Sequence, residues 1–187
     1  LQKALRMLEV GADGFDPNLF PIPDLDSARR ELSPPSSRRI FALARAFALG
    51  MSVDEASALT AIDPFFLRHM ADIADLRRSL AQRTLATLSD DQLTAAKGCG
   101  FSDSALAALL QTTADAVRER RHAIGLRPFL RQIDTLAAEY PAETNYLYFT
   151  YHAVEHDVVP SSARKVLLLG SGCYRIGSSV EFDTCCV

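Results

Sequence analysis

Residues 39–55, Arg39-Ile40-Phe41-Ala42-Leu43-Ala44-Arg45-Ala46-Phe47-Ala48-Leu49-Gly50-Met51-Ser52-Val53-Asp54-Glu55, decide the fold class, together with Ile62-Asp63-Pro64 just beyond them. Ile40, Leu43, Ala44 and Phe47 recur at i, i+3, i+4 and i+7, the period of one apolar helix face. Arg38, Arg39 and Arg45 fall largely off that face. Gly50 supplies a left-handed stop. Ser52 and Glu55 have the S-x-x-E spacing of a capping box, which starts a short helix running to about Thr60. Asp63-Pro64 then restarts the chain, with aspartate as N-cap and proline at the first helical position. Three helix boundaries within 30 residues predict a block of short, capped helices.

The same signals extend downstream. Phe66, Met70, Ile73 and Leu80 are expected to face inward from the helix after Pro64, with Arg68 and Asp72 paired at i, i+4 on its wetter side. Ser89 caps a helix ending near Gly98. Ser102 caps another with Leu106, Leu109 and Leu110 as its apolar side. Thr113 or Ala114 opens the next, which carries Val117, Arg121 and Ile124 and stops at Gly125. Upstream, residues 11–36 read as loop, because Gly11, Gly14, Pro17, Pro21, Pro23, Pro34 and Pro35 punctuate them too densely for a long helix. Beyond Arg127-Pro128 the character changes. Residues 145–151 are rich in aromatics and β-formers and read as extended. Val166-Leu167-Leu168-Leu169 suits a buried parallel strand. No internal repeat and no low-complexity tract is evident.

Composition narrows the function classes. The chain has 187 residues, 48% of them hydrophobic, enough for one core plus part of a neighbouring domain. A net charge of −3 gives no electrostatic reason to expect nucleic acid or an anionic membrane. The most apolar stretch, 40–49, is interrupted by Arg45 and is too short to span a bilayer. Leu1-Gln2-Lys3-Ala4-Leu5 lacks a signal-peptide layout and reads as mid-helix, so the sequence is expected to be cut from a longer polypeptide. Cys99, Cys173, Cys185 and Cys186 make neither a CxxC pair nor a zinc spacing, and reduced thiols in a cytoplasmic or organelle-matrix protein are expected.

Three constellations could carry chemistry. Residues 101–128 place two short helices around a tight turn, followed by Arg118, Arg120, Arg121, His122, Arg127 and Arg131. That arrangement fits either a helix-turn-helix nucleic-acid reader or an αα-hairpin with arginines in solvent or paired to Asp115 and Glu119. The acidic chain favours the hairpin. His152 and His156 stand at i, i+4 beside Glu155 and Asp157, but metal binding would need a helix there and a third ligand, so they read as surface or interface residues. His69 reads as an ordinary helix-face residue. Finally, 166–179 run from an apolar strand into Gly170-Ser171-Gly172, with Arg175, Gly177, Ser178 and Ser179 opening a helix and Glu181 within it. Glycines let backbone approach a ligand, and a helix N-terminus favours anions. The spacing G-x-G-x(4)-G is two residues longer than the dinucleotide fingerprint, and no Walker lysine follows. A ligand-side turn and a plain structural βα turn both fit.

The strings Leu169-Gly170-Ser171-Gly172, Arg175-Ile176-Gly177 and Glu181-Phe182-Asp183 resemble the opening of the second half of carbamoyl-phosphate synthase large chains. Asp134-Thr135, Ala137-Ala138-Glu139, Pro141-Ala142, Thr144 and Tyr146 resemble the segment before that half. Gly50, Ser52-Val53-Asp54-Glu55, Thr60, Ile62-Asp63-Pro64 and Phe66-Leu67 resemble the family's central helical region, and Leu1 to Arg6, Glu9, Gly11 and Gly14-Phe15-Asp16 the end of its first ATP-grasp half. Cys173-Tyr174 and Ser178-Ser179 replace the usual bacterial proline-asparagine and glutamine-glycine, which is closer to eukaryotic members.

The resemblance implies a mainly α fold in four parts. Residues 1–35 would end the first half and link onward, 36–127 form a helical oligomerisation domain, 128–164 an extended connector, and 165–187 the first strand, glycine loop and helix of an α/β pre-ATP-grasp domain. It implies a glutamine-hydrolysing ligase that makes carbamoyl phosphate from glutamine or ammonia, bicarbonate and two ATP, for pyrimidine or arginine/urea synthesis. ATP, Mg2+ or Mn2+, and K+ would serve the full enzyme and none of them this region. Expected partners are the two ATP-grasp halves, a glutaminase domain or subunit, and further copies of the chain. Expected catalytic and metal residues here are none; Gly170, Ser171, Gly172, Arg175, Gly177, Ser178, Ser179 and Glu181 are expected to line a ligand- or tunnel-side loop.

Overall fold

In a computed structural model the chain is described over residues 1–141, 146–158 and 161–166. It divides into two units, Leu1–Arg127 and Pro128–Val187. Of the buried strand expected over 166–169 only Val166 is described, and it is exposed and outside any strand; residues 167–169 and the glycine loop expected over 170–181 lie outside the described residues.

The first unit is all helix among the described residues: α1 Gln2–Arg6, α2 Leu25–Leu32, α3 Arg39–Ala48, α4 Val53–Thr60, α5 Pro64–Leu80, α6 Asp90–Gly98, α7 Asp103–Leu110 and α8 Ala114–Ala123. The boundaries follow from capping chemistry. Asp24, Ser52, Asp63, Ser89, Ser102 and Thr113 each accept a hydrogen bond from a first-turn amide. Each such cap contributes about 1 kcal/mol, which matters for helices of eight to ten residues that are marginal alone. Ser89 and Gln92 close a full reciprocal box, whereas at Ser52 only the serine half forms and Glu55 instead accepts from Arg29 Nε at 2.7 Å.

The core runs through the whole unit. Phe15, Leu32, Leu43, Leu67, Leu80, Leu93, Leu106 and Val117 are almost completely buried in one cluster, each favoured by about 1.5–3 kcal/mol relative to exposure. The long helix α5 packs against α3, α4 and α7; α2 covers α3 and α4; α8 closes on α7. The early segment differs from expectation in one respect. Between its prolines Asp24 caps α2, which buries Ala28 and Leu32, so residues 11–36 are not all loop. Leu5, Phe15 and Ile22 likewise enter the common core.

A structural repeat is present that residue identity does not reveal. Gly50 and Gly100 both take positive φ after a helix, Met51 and Phe101 are the buried residues that follow, and Ser52 and Ser102 cap the next helices. Those helices end on left-handed Ala61 and Gln111, and Asp63 and Thr113 cap the third members, in which Leu67 and Val117 are buried. Met51 N donates to Ala46 O, as Phe101 N does to Ala96 O. Thus α3–α4–α5 and α6–α7–α8 share one plan, fifty residues apart. Few side chains match between them, because the plan rests on caps, glycine and burial order.

Two expectations on α5 fail. Phe66 is exposed and packs edge-on against an equally exposed Phe65; Leu67, one position further round the helix, takes the inward position instead, on the face that Ala74 continues. Arg68 and Asp72 form no ion pair with each other or with any described residue.

The second unit contains an antiparallel pair, β1 Phe129–Gln132 with β2 Leu147–Thr150, Phe129 opposite Thr150 and Gln132 opposite Leu147. His156 Nδ1 accepts from Leu130 N at 2.9 Å, and Asp157 accepts from Gln132 N and pairs with Arg131 at 3.0 Å.

Glycine substitutions separate backbone strain from crowding. At Gly50, φ is +95° and nothing lies within 4 Å of an added Cβ. Gly14, at φ +99°, would drive its Cβ onto Gln2 Oε1. Gly50→Ala is expected to cost about 1 kcal/mol and Gly14→Ala at least about 2 kcal/mol, because it also breaks the buried Gln2 contacts. Urea unfolding of both variants measures the difference.

Candidate functional site

The turn between α6 and α7 is where distant parts of the chain converge. A helix end buried without partners would strand its carbonyls. Here three successive carbonyls each take a side-chain donor. Gln2 Nε2 donates to Cys99 O at 3.2 Å, Arg6 Nη1 to Gly100 O at 2.9 Å and Lys97 Nζ to Phe101 O at 2.7 Å. Gln2, itself buried, also accepts from Phe15 N at 3.2 Å. Asp13 accepts from the hydroxyls of Ser102 and Ser104, each at 2.8 Å. The first sixteen residues are therefore stitched to residues 99–104. Cys99 is exposed as a residue, yet partial burial of its thiol, with Asp72 adding to it, pushes its pKa up, which leaves it a poor nucleophile near neutrality.

Behind this turn lies a charge cluster. Asp103 accepts from Lys97 Nζ at 2.8 Å and from Arg121 Nε at 3.0 Å, and Arg118 approaches to 4.0 Å. Burial alone would raise the Asp103 pKa, but the hydrogen bonds and charges of Lys97 and Arg121 outweigh it and hold the carboxyl below its usual value. Burial lowers the pKa of Lys97, and Asp103 only partly offsets this. Arg118 also pairs with Asp115 at 2.8 Å, and Arg120 with Asp90. The arginines of α8 are thus largely neutralised by acids of the same unit. A helix-turn-helix reader would need them free for phosphates, so the hairpin reading holds and the nucleic-acid alternative does not.

The remaining candidates disperse. Gly170, Ser171, Gly172, Arg175, Gly177, Ser178, Ser179 and Glu181 lie outside the described residues. His152 and His156 stand in a non-helical stretch, so their spacing does not place them on one face. His69 packs edge-on against Phe65, ring centroids 4.9 Å apart. Among the described residues no three His, Cys, Asp or Glu side chains gather to hold a metal ion, and no helix is long and apolar enough to cross a membrane. The roles of Gln2, Asp13 and Lys97 were not visible in sequence, because their partners are set by tertiary structure.

Asp103→Ala removes the partner of a buried lysine and is expected to cost about 3 kcal/mol. The pH dependence has a definite sign. A carboxyl depressed in the folded state contributes stability that is complete above its unfolded pKa, about 4, and fades as pH falls through the lower folded value. The gap between parent chain and Asp103→Asn should be full at pH 7 and shrink below about pH 4 in thermal melts.

Comparison with known proteins agrees with this architecture. Residues 1–125 match the family model described as carbamoyl-phosphate synthetase large chain, oligomerisation domain. The whole chain is 47% identical to part of the carbamoyl phosphate synthase large chain of Ralstonia nicotianae, 46% to rat mitochondrial carbamoyl-phosphate synthase [ammonia], and 45% to the multifunctional protein ura1 of Schizosaccharomyces pombe. It spans only 17%, 12% and 8% of those proteins respectively. A family-model match over most of the chain, covering nearly all of the helical unit Leu1–Arg127, establishes that this chain belongs to the carbamoyl-phosphate synthetase large-chain family and contains its oligomerisation domain.

Proposed function

We propose that this chain is the connector and self-association region of a glutamine-hydrolysing carbamoyl-phosphate synthase, a ligase using bicarbonate, two ATP and glutamine-derived ammonia. The match of residues 1–125 to an oligomerisation domain carries the reading. Within it, 1–35 bring in the end of the first ATP-grasp half, 36–127 form the helical block, 128–164 the connector and 165–187 the start of the second half. The carbamoyl phosphate would serve pyrimidine or arginine/urea synthesis; the chain is as similar to the mitochondrial [ammonia] enzyme as to the multifunctional ura1 protein. The cytoplasm is the proposed compartment, with the mitochondrial matrix as the alternative that the mitochondrial relative brings. ATP with Mg2+ or Mn2+, and K+, would act in the flanking halves.

The stitching of 1–16 onto 99–104 suits a joint, because side-chain hydrogen bonds at both ends of Gln2 fix where the arriving chain meets the helical block. The glycine loop, Gly170, Ser171, Gly172, Arg175, Gly177, Ser178, Ser179 and Glu181, is proposed to open the receiving half on the path of carbamate. Small Ser178 and Ser179 would suit a narrow polar passage.

Two measurements test this. The 187-residue chain alone should show helical circular dichroism and no ATP hydrolysis or carbamoyl phosphate formation; turnover that copurifies with it would refute the connector role. In the parent enzyme, Ser179→Phe should leave glutamine hydrolysis, bicarbonate-dependent ATPase and ATP synthesis from carbamoyl phosphate largely intact while the coupled reaction falls. If all four fall together, or none does, the passage assignment is wrong.

A further inference from the structure

We propose that the cavity enclosed by α3, α5 and the loop 15–18 is a binding site for a small apolar carboxylate, a single ring or branched chain that carries one acid group. The proposal is independent of the connector reading, because the site lies wholly inside the helical unit.

The cavity holds about 200 Å3. Phe15, Pro17, Ala44, Ala74 and Leu109 supply its apolar walls, and all but Leu109 are buried residues. Exposed Ala48, Arg78 and Ala81 mark the side that opens to solvent. Protein interiors leave few voids larger than a water molecule. An apolar cavity of about 150 Å3 is enough to take up benzene, so this one has room for one ring and a short head group. Pockets for larger ligands run from about 300 to 1,000 Å3, which excludes anything of nucleotide size.

The charges of the lining select the head group. Arg77 and Arg78 are the two charged residues that line the cavity. Their acidic partners, Asp16 and Asp75, are not part of that lining. The Arg77 side chain is only 19% exposed, yet it gives Asp16 a single bond, from Nη2 at 3.3 Å. A guanidinium carries five N–H donors. Among the described residues no buried side-chain nitrogen or oxygen lacks a partner, so the other Arg77 donors reach open space. A carboxylate accepts such donors through short, charge-assisted bonds. Asn18, also in the lining, adds a neutral amide. A cationic head would be repelled there.

The site is wired to the joint. Phe15 walls the cavity and also donates its backbone N–H to Gln2 Oε1. Asp16 Oδ1 accepts from Asn18 N at 3.0 Å and from Arg77 Nη2, which fixes the loop against α5. Occupancy of the cavity and docking of residues 1–16 therefore favour each other, by the same factor in both directions.

An NMR titration of the 15N-labelled 187-residue chain with sodium phenylacetate tests this. Saturable shifts should centre on the amides of Phe15, Asn18, Ala48 and Ala81, with a Kd on the order of 1 mM. Phenethylammonium, the same ring on a cationic head, should bind at least about tenfold more weakly. Arg77→Gln should weaken phenylacetate about tenfold and leave toluene within about threefold, because the apolar walls remain. Ala74→Leu should block both ligands. Gln2→Ala, remote from the ligand, should weaken phenylacetate at least about threefold through the shared loop. Shifts that never saturate, or equal affinity for the two head-group signs, overturn the proposal. Unchanged affinity in Gln2→Ala overturns the coupling to the joint. If phenylacetate binds the chain but not the parent enzyme, a segment of the flanking halves fills the cavity and the proposal is wrong. ATP turnover by the isolated chain, which would refute the connector role, leaves each of these readouts unaffected.

Discussion

Three consecutive carbonyls, those of Cys99, Gly100 and Phe101, sit at a turn covered by other parts of the chain, and each must be given a donor. Gln2, Arg6 and Lys97 provide them. An unmet backbone acceptor in such a place costs about 1–3 kcal/mol, so the turn requires these side chains as firmly as the core requires its leucines. The requirement propagates. Gln2 has room only because Gly14 lacks a Cβ, and Lys97 is tolerable in the core only because Asp103 faces it. Asp103 in turn anchors Arg121 of α8. One turn thereby ties residues 1–16 to α6, α7 and α8.

Much of the helical block was legible in sequence because its signals are local. Ser52, Asp63, Ser89, Ser102 and Thr113 act within three residues of themselves, and Gly50 and Gly125 need only their own φ. The errors arose where tertiary context decides. Phe66 has the right period to face inward, but the tertiary packing turns the neighbouring Leu67 into the core and leaves Phe66 in solvent. Arg68 and Asp72 have pairing geometry yet remain apart, as weak solvent-exposed pairs often do. α2 escaped notice because prolines flank it without entering it.

The repeat and the stitched turn were illegible for opposite reasons. The repeat is encoded in cap chemistry and burial order, with almost no identity of side chains. The stitch is encoded in ordinary residues, such as Gln2 and Asp13, whose partners lie about ninety positions away. Neither composition nor periodicity carries information over that separation. The helical region is written in short local motifs, whereas the joint is written in contacts that only the tertiary fold brings together.

The long reach of Gln2 has a consequence for the order in which the molecule matures on the ribosome. α3, α4 and α5 contact their sequence neighbours and can consolidate as they emerge. Gln2, Arg6 and Asp13 cannot find their partners until residue 104 has been made. At roughly 5–20 residues per second the opening segment waits about 5–20 s with its polar groups in water. During that interval the segment carrying Gln2, Arg6 and Asp13 lacks the partners that anchor it, and it docks on the α6–α7 turn only after residue 104 has emerged.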